Sequence, residues 1–376
     1  MCSMHDQPVL DPLGALRAAG DPATDVYLTG TVFLDIIFTG LDSAPVRGTE
    51  SWARGMGSSP GGVANMATAL ARLGLRTTLA AAFGDDMYGD YCWESLSQGE
   101  GIDLGPSRRI PGWHSPVTVS MAYEGERTMV SHGHRAPPPE QEPVPACPPP
   151  ARAAVASLGQ RERASDEAPA PDPDREWVAR AAASGTEVFA DVGWDDTGRW
   201  DPADLAELRH CAAFLPNAEE AMRYTRTASP RAAAYRLAEL VPLAVVTLGA
   251  EGAVAVDSGS GETAEVPALI VDALDPTGAG DVFVAAFVTG SLAGWPLRDR
   301  LAFGSLCAAL SVQEFGGSLS APGWTEVAAW WTRAKADPGT PGEALRRYAF
   351  LDELIPPAPR RWPLPRAVPT IGFRRA

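Results

Sequence analysis

The sequence predicts an α/β fold of three layers, a mostly parallel central sheet with helices on both faces and a small β-sheet lid above it. Three observations carry this. Short apolar runs alternate with longer helical patterns along most of the 376 residues, the arrangement expected of a helix-covered parallel sheet. Around Glu124-Gly125-Glu126-Arg127 the alternation is broken by two strand patterns, 117–123 and 128–131, that read as a hairpin. Near the end, the turn Asp275-Pro276-Thr277-Gly278-Ala279-Gly280-Asp281 opens directly into the apolar run 282–288.

Taken in order, segments 26–33, 77–83, 187–192, 212–215 and 243–248 read as strands, with a weaker strand pattern at 151–159. Segments 62–73, 174–184, 217–225 and 231–240 read as helices. Two nearly all-apolar helices, 282–292 and 301–314, are expected to be buried. The proline-rich stretch 136–150 and the Pro-, Asp- and Glu-rich stretch 161–174 read as loop or extended linker. The expected organisation is an N-terminal extension (1–24), one domain (25–335) and a C-terminal helix and tail (336–376). Within the domain, the lid comes from about 31–50 and 108–134, and the proline-rich segment spans 136–174.

Composition narrows the function. A formal charge of −16 and a pI near 4.8 argue against nucleic-acid and anionic-membrane partners. The five cysteines are scattered with no CxxC pair, so neither a disulfide framework nor a zinc knuckle is expected. Segment 1–20 lacks the apolar core of a signal peptide, and no run of about 18 apolar residues could span a bilayer. A cytoplasmic location is the expectation.

The chemistry concentrates in the late glycine turn. Two glycines let the backbone curl its N–H groups inward where a helix begins, and unpaired amides plus the helix dipole then hold an anion. A carboxylate at Asp281 beside that anion could take a proton from an attacking hydroxyl. An anion hole with an adjacent base is the minimum equipment for phosphoryl transfer to an alcohol. Asp281 could equally be a helix cap. Upstream, Pro60-Gly61-Gly62-Val63-Ala64-Asn65 is a turn that lets backbone approach a ligand, with Asn65 offering a donor and an acceptor. Gly84-Asp85-Asp86 is a further turn, in which both carboxylates could simply cap the next helix.

Together, in this order, the Gly-Gly-x-Ala-Asn turn, the Gly-Asp-Asp turn and the final Thr-Gly-Ala-Gly-Asp resemble the ribokinase-like, or phosphofructokinase-B, family of carbohydrate kinases, over about residues 27–322. The resemblance implies a large α/β domain with a β-sheet lid that closes over the substrate, and ATP-dependent phosphorylation of a hydroxyl on a sugar or sugar-like molecule. It implies Asp281 as general base, with Gly278, Ala279 and Gly280 as the anion hole. Asp35, in Gly30-Thr31-Val32-Phe33-Leu34-Asp35, and Gly61, Gly62 and Asn65 match substrate-binding positions. Asn217 and Glu220 match a motif that orders Mg2+ and phosphate, usually through water, and are also spaced as a capping box. Thr247, Gly249 and Gly252 match a nucleotide-binding turn. A monovalent cation such as K+ and a homodimer formed through the lid are further expectations.

Departures from the family pattern leave the acceptor open. Pro276 replaces a common Thr, Val63 and Ala64 carry no Lys, and Ser305 lies where many members have Asn. Trp194-Asp195-Asp196-Thr197-Gly198-Arg199-Trp200, after a strand, would suit a sugar or be a plain polar loop. His132-Gly133-His134 offers two imidazoles and no third ligand at suitable spacing, so no metal centre is expected there. The alternatives are a nucleoside kinase of the same fold and a non-catalytic sugar- or nucleotide-binding regulator. A dinucleotide oxidoreductase is disfavoured because Gly55-Met56-Gly57-Ser58-Ser59-Pro60 lacks the last glycine of GxGxxG, and no P-loop motif occurs.

Overall fold

The computed structural model describes residues 14–123, 126–134, 136–137, 148–158, 173–195, 197–314, 316–355 and 370–373. The first half runs β1 (Thr24–Thr29), β2 (Val32–Thr39), β3 (Gly55–Gly62), α1 (Val63–Arg72), β4 (Thr77–Ala80), β5 (Ala82–Gly84), α2 (Met87–Glu94) and β6 (Arg108–Ile110). Then follow β7 (Val117–Tyr123), β8 (Glu126–His132), β9 (Ala151–Leu158), α3 (Pro173–Ala183), β10 (Glu187–Val192), β11 (Ala213–Phe214), α4 (Ala218–Thr225) and α5 (Pro230–Leu237). The remainder is β12 (Leu243–Thr247), β13 (Ala253–Asp257), β14 (Thr263–Val266), α6 (Ala279–Leu292), α7 (Leu297–Ser311), α8 (Trp324–Ala336), α9 (Gly342–Arg347), α10 (Leu351–Leu354) and β15 (Thr370–Phe373).

Eight strands form the main sheet, in the order β14-β13-β12-β11-β10-β9-β1-β4. The stretch from β12 to β4 is parallel, and β13 and β14 finish one edge antiparallel. The weak pattern at 151–159 is thus a central strand. Its side chains alternate faces, as a pleated strand requires. Leu28, Val155, Phe189 and Val245 join one core with α1, α6 and α7, while Leu158, Val188, Phe214 and Val246 join a second with α3, α4 and α5. As expected, α6 is buried almost all round, from Val282 to Gly290.

The lid is a second sheet, in the order β15-β3-β2-β7-β8. Its make-up corrects several expectations. The apolar run 26–33 is not one strand: it breaks after Thr29, so β1 enters the main sheet and β2 the lid. Run 77–83 also divides, and β5 pairs with β6 in a separate two-stranded sheet, so residues 108–110 are not lid strand. Glycine-rich 55–62, outside the expected lid, is its strand β3, paired antiparallel with β2 from Val32↔Gly62 to Thr39↔Gly55. At the C-terminal end, Thr370–Phe373 pairs with β3 as the outer lid strand, where only a tail was expected. Most of segments 136–147 and 159–174 lies outside the described residues.

The lid is anchored to the main domain at fixed points. Ser318 donates to the Pro60 carbonyl at 2.5 Å and Tyr91 to the Ser58 carbonyl at 2.8 Å. Beneath, the buried guanidinium of Arg72 on α1 pairs with Glu100 and donates to the carbonyls of Leu319 and Ala321. Among the described residues, no helix is long and apolar enough to cross a membrane.

Candidate active site

Steric limits at two glycines shape the junction of β3 and α1. Gly62, which caps α1, has φ of 63°, and a Cβ there would lie 2.4 Å from the Thr31 carbonyl oxygen. A Cβ on Gly61 would lie 2.0 Å from Asp35 Oδ2. The carboxylate of Asp35, reaching from the neighbouring strand β2, therefore lies over the bare Cα of Gly61. Asp35 and Asn65 are both buried. Asn65 Oδ1 has no hydrogen-bond partner, an unmet acceptor of the kind a ligand hydroxyl satisfies.

The same asparagine reaches the second glycine turn. Asn65 Nδ2 donates to Asp281 Oδ2 at 2.9 Å. Asp281 stands in the first turn of α6, whose N-cap, Gly278, has φ of 79°. The turn is set by Asp275, whose Oδ1 accepts from the Thr277 N–H at 3.0 Å, and Ala279 N–H donates weakly back to the Pro276 carbonyl at 3.3 Å. Ala279 is thus partly engaged inside the turn. The Gly280 amide, in the first helical turn, has no carbonyl one turn back. A Cβ at Gly280 would meet nothing within 4 Å, so no neighbour crowds this glycine's flank of the helix.

The residues expected to serve a nucleotide, Asn217, Thr247 and Gly249, lie at or just past the carboxyl ends of β11 and β12, the edge at which open α/β sheets take ligands. Asn217 forms a parallel bridge with Thr247, bringing the ends of β11 and β12 together. The capping box is present: Glu220 N–H donates to Asn217 Oδ1 and Asn217 N–H to Glu220 Oε2, both at 3.0 Å. It coexists with an electrostatic role, because burial and then the charge of Asp281 push the Glu220 carboxyl up to about 7. Gly249 opens the turn after β12 with φ of 58° and nothing crowding its Cβ position. Gly252 differs: a Cβ there would strike the Val266 carbonyl oxygen at 2.0 Å, so this glycine serves the packing of the β12–β13 turn. Ser305 on α7 is buried, with its hydroxyl unpartnered.

One residue was missed by the motif reading. Asp191, the penultimate residue of β10, lies on the same face as Phe189, which packs toward α6. Burial, then Asp281, then Glu220 raise its carboxyl well above the ordinary range. Its signal in the sequence was a carboxylate interrupting an apolar strand on the face the strand parity assigns to α6.

Other motifs turn out to be structural. Asp86 caps α2 through the Gly89 N–H and also accepts from Ser115 N–H and Oγ–H; Asp85 accepts from the Gly112 N–H. This pair ties the loop leading into β7 to α2. In the tryptophan loop, Asp195 is used up holding its own turn, accepting from Thr197 and from the Trp200 N–H at 2.6 Å. Trp200 is fully buried, and Arg223 stacks over both Trp194 and Trp200. That loop is a turn held from within by Asp195 and Trp200, with Trp194 exposed on it.

Known proteins with this pattern bear on the reading. Residues 24–324 match the model of the pfkB family carbohydrate kinases. The ribokinase of Schizosaccharomyces pombe is 36% identical over 141 residues, 34% of this chain and 44% of that protein. That of Bacillus subtilis is 26% identical over 305 residues, covering 81% of this chain and 98% of the relative. In the first curated relatives it matches, the chain spans about half of their length. The Arabidopsis thaliana ribokinase structure, complexed with ribose and ATP, superposes with a TM-score of 0.67 at 24% identity, over 82% of this chain and 98% of that one. That likeness extends to the fold. With a large main sheet and a separate lid sheet, two glycine turns joined by Asn65 and Asp281, and a family match across nearly the whole described domain, the chain belongs to the pfkB family of carbohydrate kinases.

Proposed function

We propose that the protein transfers the γ-phosphoryl group of ATP to a hydroxyl of a sugar or sugar-like molecule. The observation that carries this is the 2.9 Å contact between Asn65 and Asp281, which joins the acceptor-side turn to the helix start on the phosphate side. Asp35, Gly61, Gly62 and Asn65 would bind the acceptor, with Asn65 Oδ1 taking one of its hydroxyls. Asp281 takes the acceptor proton as its oxygen attacks phosphorus in line. The amides of Gly278, Ala279 and Gly280 stabilise the charge on the transferred group. Because Ala279 is partly engaged within the turn, Gly280 carries more of that load.

Thr247 and Gly249 would line the nucleotide, while Gly252 keeps their turn in shape. Asn217, Glu220 and Asp191 fit a magnesium ion held through water: buried carboxylates that repel one another are relieved by a hard cation, and oxygen is its preferred donor. When bound, magnesium neutralises phosphate charge. A monovalent cation such as K+ fits near Asp275, whose buried Oδ2 has no partner. The lid strands exclude water, so that ATP is not hydrolysed. Two copies could pair through the lid face bearing Ile36, Val119 and the exposed Val130.

The test is ADP release with magnesium over a panel of pentoses, hexoses, 2-keto sugars and nucleosides. Sugar-dependent release supports this reading, and nucleosides as the only acceptors would turn it to the nucleoside kinase. No acceptor-dependent release would leave a binding protein.

A further inference from the structure

By composition β3 is a poor strand. Gly55, Gly57, Gly61 and Gly62 make up half of it, and Pro60 has no N–H to donate. Glycine weakens a strand because it loses the most backbone freedom on ordering and packs no side chain. Yet β3 carries the acceptor side. Its Ser59 pairs with Asp35, and its last two residues form the turn over which the Asp35 carboxylate lies. Pairing with β2 engages only one edge of such a strand, and the backbone groups of the other edge need partners of their own.

Near the turn the main domain serves β3, since Ser318 donates to the Pro60 carbonyl and Tyr91 to the Ser58 carbonyl. From Ser58 out to Gly55 the second neighbour is β15, antiparallel, with Thr370 opposite Ser58, Ile371 opposite Gly57, Gly372 opposite Met56 and Phe373 opposite Gly55. The strand thus stops short of Pro60, the position that cannot donate. In chain order β15 follows α10, whose Leu351 is fully buried in the main core. The chain therefore returns from the main domain to the lid and adds its strand to the one lid strand with least order of its own. We propose that β15 is a positioning element of the acceptor side: by closing the second edge of β3 it fixes that backbone through to Gly61 and Gly62, and so holds the turn under Asp35. The acceptor role rests on the kinase reading given above, whereas the ordering of the turn does not.

The experiment uses the full-length chain carrying Ile371→Pro together with Gly372→Pro. Successive amides of a strand point to opposite edges, so one of these two faces β3 and proline removes it. Amide hydrogen exchange over residues 55–62, and kinetics with ATP, magnesium and ribose, fructose or adenosine, are compared with the wild type. Exchange is expected to be about tenfold faster through the turn, because local opening governs it. The acceptor KM should rise about threefold or more, the span of one net hydrogen bond, with the ATP KM and the exchange of α1 unchanged. Unaltered exchange at 59–62 overturns the proposal, since the turn then holds itself. Faster exchange with an unchanged acceptor KM overturns the positioning role, and equal rises in both KM values do so too, because β15 would then support the whole fold. Should the wild type turn over none of the three acceptors, the kinase reading fails separately and exchange at 59–62 decides the role of β15.

Discussion

Asn65 and Asp281, 216 positions apart in the chain, share a 2.9 Å hydrogen bond between the side-chain amide and one carboxylate oxygen. Each stands in the first turn of a helix that follows a glycine with positive φ, Gly62 for one and Gly278 for the other. The contact orients the proposed base and leaves Asn65 Oδ1 without a partner.

Asp281→Asn is expected to lower turnover by about a hundredfold or more, the scale of a lost general base, with ATP affinity and folding retained. Steady-state kinetics and nucleotide titration check this. Near-normal turnover would remove Asp281 from the role.

Gly61→Ala tests the acceptor side. Its Cβ would occupy the position of the Asp35 carboxylate, so Asp35 must swing away. Loss of one charged hydrogen bond, about 1.5–3 kcal/mol, raises the acceptor KM about tenfold or more, whereas ATP affinity stays unchanged. An unaltered acceptor KM would separate Asp35 from substrate binding.

Glu220 makes stability depend on pH. Its carboxyl is raised from 4.5 to about 7 in the folded chain, by burial and then by Asp281. The folded state therefore keeps a proton that the unfolded state has lost. The group favours folding fully below about pH 4.5, and that contribution is lost as pH rises through 7. Glu220→Gln should be more stable than the wild type at pH 8, by up to about 3 kcal/mol, with the gap closing toward pH 4.5. Denaturant melts at both pH values measure it. The same variant should need more magnesium for half-maximal turnover, and an unchanged magnesium titration would leave Glu220 as a cap alone.

Arg72 links α1 to the segment that supports the lid. Arg72→Ala removes the guanidinium paired with buried Glu100 and frees the Leu319 and Ala321 carbonyls. A loss of about 3–5 kcal/mol is expected, read from urea melts. A loss below about 1 kcal/mol would mean that water replaces the guanidinium.

Pairing of lids is open to sedimentation. Val130→Glu places a charge on the lid face opposite Asp35 and should shift a dimer to monomer without unfolding it, because Val130 is 62% exposed. Identical sedimentation of the two proteins would exclude this face.

Local patterns in the sequence were enough for the α/β alternation, the hairpin, the glycine turns and the buried α6, because periodicity and backbone freedom are properties of neighbouring residues. The Asn217–Glu220 box was legible for the same reason. What only the tertiary structure decided depends on pairings between distant segments. Glycine-rich β3 became a lid strand by pairing with β2, the run 26–33 was divided between two sheets, and Thr370–Phe373 added itself to β3. Asp191 came within electrostatic reach of Asp281 and Glu220 only through the order in which the strands and helices pack. His114 reached His132 only through the register of β7 and β8. Hydrogen bonds between strands carry no mark in either segment alone, so register and neighbourhood emerge only when the chain packs.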